Sequence, residues 1–342
     1  MILISYLIYN LYAKHATNQA ESLKSLSNDL YTDSVRFMYE LLQNADDVSL
    51  LNILNNRSKV TIATINNYLI IAHNDIPFSN KDLRAVSSIN NGIKIKDQLK
   101  IGYKGLGFKA VFGKSSYVLI YTAGEYFRFD SSSNFPWRWQ GDQDIWEAEN
   151  DRKFMYPWQI IPIWTETKDV PSDVHSFIVQ NSCSVSTIML LHNKLETKQG
   201  IQQLKDQPHT LLFLRNIVEI HFNLDGLIDT FTMENNVINV TKTLVLNNHI
   251  LSRWIVKQTI LDIPASICEN LKNDLNIPGK LKSAQQIKLF FAAKYNNNNA
   301  IQKLESALFA YIPTKILQYK GHRRISSDIC HPTFSYSEDM VR

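Results

Sequence analysis

The run Lys59–Ala72 (KVTIATINNYLIIA) leaves a chain few choices of structure. Two segments rich in β-branched residues flank the pair Asn66-Asn67, and asparagine tolerates the left-handed backbone that a tight turn demands. The pattern predicts a hairpin. Tyr117–Asp130 (YVLIYTAGEYFRFD) predicts another, turning at Ala123-Gly124, and Ser186–His192 (STIMLLH) reads as a buried strand. Helical signals surround these strands. Leu23, Leu26 and Leu30 recur at spacings of three and four, and Asp33 or Ser34 is placed to cap a second helix from Val35 to about Asp47. After a loop at His73–Ser79, Ser79 and Asp82 have the spacing of a capping box that opens a short helix.

At 342 residues, 44% of them hydrophobic, the chain is neither disordered nor fibrous, and its length suits one large domain or two ordinary ones. Lys and Arg number 36 against 32 Asp and Glu, a net +4 with no basic stripe, which argues against a nucleic-acid partner. Cys183, Cys268 and Cys330 are too scattered for a disulfide framework or a CxxC site, which fits a reducing compartment, the cytoplasm or nucleus. Met1–Tyr12 is apolar but shorter than the roughly 20 residues of a membrane span. It has no leading basic residue and no small-residue cleavage site, so a helix packed on the domain is expected.

Trp137, Trp139, Trp146, Trp158 and Trp164 are expected to build a small satellite core. The polar stretch Glu196–Asp206 suggests a domain boundary near residue 200. Beyond it, Leu211–Phe222, Ile228–Met233, Val237–Leu246 and Trp254–Ile260 read as strands, with Leu304–Ile312 as a fifth. Asn296–Asn299 reads as an exposed loop. Leu317–Arg342 turns polar and unpatterned, which suggests a piece or an altered end of a longer chain. The expected division is 1–200, then 201–316, then a tail over 317–342.

Two segments carry chemistry. On a helix, Glu40, Asn44 and Asp47 fall in one row, while Met38, Leu41, Leu42 and Ala45 fall on the other side. A solvated helix face usually mixes in Lys and Arg, and this row has none. Carboxylate and amide oxygens are hard ligands suited to Mg²⁺, and a glutamate beside them can orient a water. The second segment is Ile101–Phe112 (IGYKGLGFKAVF), where Gly102, Gly105 and Gly107 make G-x-x-G-x-G ahead of an apolar stretch expected to be helical. Glycines there let the backbone approach a phosphate. The spacing is not the dinucleotide fingerprint, nor a P-loop. Lys104 and Lys109 suit an anionic ligand or solvent equally. Asn90–Lys100, lysine-rich and carrying Gly92, is expected to be mobile.

In this order the two segments resemble the ATPase family that groups heat-shock chaperone ATPases, type II topoisomerases, histidine kinases and MutL (GHKL). Glu40, Asn44 and Asp47 match its E-x-x-x-N-x-x-D helix; Gly102, Gly105, Gly107 and Phe108 match its G-x-x-G-x-G-F box. Thr187 stands where that family places a threonine beneath the adenine. ELLQNADD, HNDIPFSNKDLRAVSSI and IGYKGLGFKAVF look more narrowly like the sacsin and NO VEIN-like branch, with SLKSLSNDLY and AYIPTK as flanks. One box departs: the adenine loop D-x-G-x-G is replaced by His73-Asn74-Asp75-Ile76-Pro77-Phe78, without a glycine. Asn74 and Asp75 are both candidates to meet the adenine amino group, and His73 reads as a strand-end residue.

The resemblance implies an α+β fold: a two-layer Bergerat sandwich, its mixed and mostly antiparallel sheet carrying helices on one face, followed by a smaller α/β domain. It implies ATP with Mg²⁺ held by Asn44, Glu40 as general base and Asp47 in support. Backbone N–H groups from Gly102 to Phe108, through Leu106, would hold the terminal phosphates beside Lys104. Ser87–Lys100 would be a lid, with Asn91 or Lys94 reaching ribose or phosphate, and Lys315 would return from the second domain. The expected function is a Mg-ATP-hydrolysing switch with a chaperone-like or assembly role, serving protein clients or other domains of a longer chain, with a nucleotide-dependent homodimer among the expected states. The alternative is a scaffold module that binds ATP without turnover.

Overall fold

The computed structural model describes residues 2–29, 36–49, 58–88, 107–137, 141–214, 216–236, 241–273, 286–296, 301 and 308–314. Helix α1 (Ile2–Asp29) takes in the apolar amino-terminal run, and Ala13, Thr17, Ala20 and Leu23 are buried along it. Helix α2 (Arg36–Ser49) lies where periodicity placed it; its expected caps Asp33 and Ser34, like Leu30, lie outside the described residues.

Both hairpins form. Strands β1 (Ser58–Ile65) and β2 (Tyr68–His73) turn with Asn66 at φ +51°, and β3 (Tyr117–Thr122) and β4 (Glu125–Asp130) turn with Ala123 at +52° and Gly124 at +88°. Between the hairpins, α3 (Asn80–Val86) opens on the expected capping box. The Ser79 N–H donates to Asp82 Oδ2 at 2.8 Å and the Asp82 N–H donates to Ser79 Oγ at 3.4 Å. The stretch after the glycine run is a 3-10 turn, Gly107–Gly113.

Next come α4 (Gln143–Asn150), β5 (Ile163–Thr165), α5 (Ser172–Gln180), β6 (Val185–Leu190) and α6 (Lys194–Asp206). The polar stretch 196–206 is therefore helix. Asn193 Oδ1 accepts the Glu196 N–H at 3.1 Å, and α6 buries Gly200, Ile201 and Leu204 while its polar majority faces outward. Residues 208–213 form a 3-10 turn opened by Pro208, which fixes φ and has no N–H to give a ladder, so 211–213, expected as the start of a strand, lie in the turn. The strand starts at Ile217: β7 (Ile217–Leu224), then β8 (Leu227–Asn236), β9 (Thr241–Leu246) and β10 (His249–Asp262). Helix α7 (Ala265–Asn273) and strand β11 (Gln286–Tyr295) were not expected, because QIKLFFAAKY shows neither a period of two nor of 3.6. Strand β12 (Leu308–Thr314) is the fifth expected strand, shifted along the chain.

All twelve strands join one mixed sheet in the order β12-β11-β10-β9-β8-β7-β1-β2-β6-β3-β4-β5. Among the described strands β1 and β7 are the parallel pair, and every other neighbour is antiparallel. The fold is α+β. The front of the sheet carries the larger core, where Phe37, Met38, Leu41, Leu42 and Ala45 of α2 meet Val60, Ile62, Leu69, Ile71, Ile120 and Met189. Fully burying side chains of this size stabilises by about 1.5–3 kcal/mol each. Helices were expected on one face, but α5 covers the other. Its Val174, Phe177 and Ile178 pack on Ala63, Ile70, Ala72, Leu119 and Ile188, since β2 and β6 are apolar on both sides and need two covers.

Trp137, Trp146 and Phe154 form the expected satellite core, with ring centroids 5.1–6.2 Å apart. Trp158 instead joins the main core against Phe112 at 5.2 Å, and Trp164 is exposed, stacked on Phe127. Trp139 lies outside the described residues.

Candidate functional site

The polar row of α2 does not face open water. Glu40 and Asn44 are half-buried, and Asp47 is fully buried. The apolar side of α2 packs on the sheet, and the helix also packs against the 3-10 turn at 107–113, which leaves its polar row only partly open to water. Taking polar side chains out of water has a free-energy cost unless they are matched by polar partners.

The end of β2 supplies the second part. Asp75 is buried and its Oδ1 accepts the Ser58 hydroxyl at 3.0 Å. The Asp75 N–H donates to His73 Nδ1 at 3.3 Å. Burial pushes the His73 imidazole down to about 4, against the pull of the Asp75 carboxylate, so at neutral pH the ring is uncharged with Nδ1 as its acceptor. Asn74 is exposed and its Oδ1 accepts the Lys59 N–H at 3.0 Å. Of the two candidates, the one carboxylate is inside and the amide is outside. Thr187 is buried on β6, registered with Ile71 and Ile120. Both belong to the core beneath α2, so Thr187 shares the face that α2 covers.

One residue that sequence reasoning passed over joins these parts. Asp46 is fully buried, and its Oδ1 accepts the N–H groups of Asn216 at 2.8 Å and Ile217 at 3.2 Å. The Asn216 Nδ2 donates back to the Asp46 carbonyl at 2.8 Å. Ile217 is registered with Ser58, the hydroxyl donor to Asp75. A continuous set of contacts therefore places the carboxyl end of α2, with Asn44 and Asp47, at the same sheet end as Asp75. The signal in the sequence was the doubled Asp46-Asp47, of which only the second fitted the polar row.

Gly107 begins the 3-10 turn, and Phe108 is half-buried, packed on Phe112 at 5.7 Å and Phe129 at 6.4 Å. Lys109 is neither solvated nor turned to an open ligand site. It is buried, its Nζ donates to the carbonyls of Val86 and, at 3.0 Å, Gln159, and it lies over the rings of Phe112 and Phe129. Burial pushes this ammonium down to about 7. Asn91, Lys94, Gly102, Lys104, Gly105, Leu106 and Lys315 lie outside the described residues. Among the described residues, no three His, Cys, Asp or Glu side chains converge to hold a metal ion by themselves, and no helix is long and apolar enough to cross a membrane.

A model of the Sacsin domain matches residues 20–138, which take in α2, both strands of the first hairpin and Asp75. Protein NO VEIN from Arabidopsis thaliana is 31% identical over 121 residues, 35% of this chain and 4% of that protein. The chain thus spans a small fraction of the curated relative it matches. The chain is thus similar to sacsin-type and NO VEIN sequences, and the Sacsin-domain match takes in Glu40, Asn44 and Asp47.

Proposed function

We propose that the chain is a Mg²⁺-dependent ATP-hydrolysing switch module with a Bergerat nucleotide site, of the GHKL type. The observation that carries the reading is the convergence at one sheet end: Asn44 and Asp47 on α2, buried Asp75 beyond β2, and Thr187 on the face that α2 covers. The donor set fits the ligand. A buried carboxylate and a threonine hydroxyl suit the amino group and ring edge of adenine. A half-buried glutamate and amide suit water and a hard cation. Asn44 would hold Mg²⁺ through its amide oxygen, and the bound cation would supply positive charge against the ATP phosphates.

Asp75 would accept from the adenine amino group, because it is the loop candidate whose carboxylate is inside. Bound ATP supplies the phosphoanhydride, and Glu40 would orient a water and take its proton. Asp47 would brace the row by hydrogen bonding. Roles for Gly102, Lys104, Gly105, Leu106 and Gly107 on the phosphates, for Asn91 and Lys94 near the ribose, and for Lys315 rest on the family resemblance alone. So do the lid over 87–100, the transducer role of residues 201–316 and a chaperone-like role on protein clients.

A calorimetric titration with ATP, with and without Mg²⁺, tests binding. Replacing Glu40 with alanine should leave ATP affinity nearly unchanged and remove phosphate release. General-base catalysis is typically worth on the order of 10²–10⁴ in rate. Equal turnover by the variant would sink the role of Glu40. Binding by the unaltered chain with no phosphate release would favour a scaffold that holds ATP without turnover.

A further inference from the structure

We propose that Asp46 and Asn216 are the link through which nucleotide held at α2 is felt by strands β7–β12, an inference that rests on the nucleotide reading above. The contact is reciprocal and bridges two parts of the chain 170 positions apart. The Asp46 carbonyl lies in the last turn of α2, where helix carbonyls have no partner within the helix, and the Asn216 amide supplies one. The Asp46 carboxylate in turn takes two successive N–H groups where β7 begins. Ordinary capping of either end would need only one of these bonds. Each bond runs from a side chain on one element to the backbone of the other, and because they run in both directions the end of α2 and the start of β7 are tied main chain to main chain through two short side chains. Asn44 and Asp47 sit within one turn of Asp46, so a movement of α2 toward a ligand held by them also moves Asp46. Beside the clasp lies the parallel β1–β7 pairing, through which the two halves of the sheet are joined.

Amide exchange over residues 217–236 tests the link, with the non-hydrolysable β,γ-imido analogue of ATP and Mg²⁺ as probe. In the unaltered chain the analogue should slow exchange there by about fivefold or more, the lower end of ordinary coupling between sites. Asn216→Ala removes the return bond while leaving Asp46 to hold the strand. It should bind the analogue with affinity close to that of the unaltered chain and lose the slowing. Asp46→Asn keeps an acceptor of the same shape and should weaken the response without unfolding the chain. A purely structural contact would lower protection equally with and without the analogue, so the ligand-induced difference is the quantity read. Undiminished slowing in both variants overturns the link, as does binding by the unaltered chain with no change over 217–236. Failure of the unaltered chain to bind the analogue overturns the nucleotide reading and the link with it.

Discussion

Strands β1, β2, β3 and β6 are buried along nearly their whole length, whereas β8 and β10 are buried only near their middles. The cause is cover. The first group lies between α2 on one face and α5 on the other, while the core of the second group lies on the front alone. Leu227, Ile228, Ile250, Ile260 and Leu261 consequently stay exposed in the second half. One sheet thus holds a doubly covered platform, which carries the candidate site, and a thinner extension joined to it by β1–β7 and the Asp46–Asn216 clasp. Local stability follows buried apolar contact, so the extension should open at lower free energy than the platform.

Two phenylalanines give the largest test of that difference. Phe129 on β4 is fully buried among Phe108, Phe112 and Phe127, while Phe291 on β11 is 45% exposed. Phe129→Ala should cost about 3–5 kcal/mol of unfolding free energy, as buried aromatic truncations do. Phe291→Ala should cost less than about 1 kcal/mol. Denaturant unfolding of both variants measures the gap, and equal losses would break the division into platform and extension.

Two lysines sharpen it further. Lys109 in the platform and Lys242 in the extension each donate to two backbone carbonyls, those of Val86 and Gln159 for the first and of Leu212 and Leu214 for the second. Lys109 is buried and Lys242 is half-buried, so water can replace the lost donor only at the second. Lys109→Met should cost about 1–3 kcal/mol, the price of leaving buried acceptors unmatched, and Lys242→Met less. The pH response carries its own sign. Lys109 loses its proton near 7 in the folded chain and near 10.5 when unfolded, so the unfolded state binds more protons between those values. Stability from this group therefore rises with pH across that window, and the methionine variant should lack the rise.

The platform was legible in the sequence because its signals are local. Asn66 and the Ala123-Gly124 pair announce hairpins, Ser79 with Asp82 announces a helix start, and the apolar side of α2 lies where its period put it. The second cover, α5, was missed because SDVHSFIVQ is short and its contribution depends on what lies beneath it. In the extension, β11 lies in an apolar run without a period, and 211–213, whose apolar residues read as the start of a strand, fall in the 3-10 turn ahead of Ile217. At the site, the row Glu40, Asn44 and Asp47 could be read from spacing. The burial that separates Asp75 from Asn74 could not, because it depends on Ser58 and Lys59 across the hairpin. Asp46 needed a partner far along the chain to acquire meaning.

The smallest expected effect concerns two histidines, one on each side of the β1–β7 junction. Burial lowers His73 to about 4; it also lowers His221, helped by Lys59 and opposed by Glu219. His73 is the more completely enclosed ring, with side-chain exposure of 10% against 23% for His221. An unfolded histidine takes its proton near 6.5, so between about 4 and 6.5 the unfolded chain binds more protons at position 73 than the folded one. Stability from His73 is thus lost as pH falls through that window and is unaffected at pH 7, where both states are neutral. His73→Asn offers Oδ1 in place of Nδ1 to the Asp75 N–H, so its stability at pH 7 should stay close to that of the unaltered chain. On acidification from pH 7 to 5 its urea midpoint should fall less than that of the unaltered chain. His221→Asn should relieve the acid loss by a smaller amount, because Glu219 offsets part of the burial penalty there. An equal or greater relief at position 221 would place the tighter enclosure in the extension and reverse the contrast between the halves.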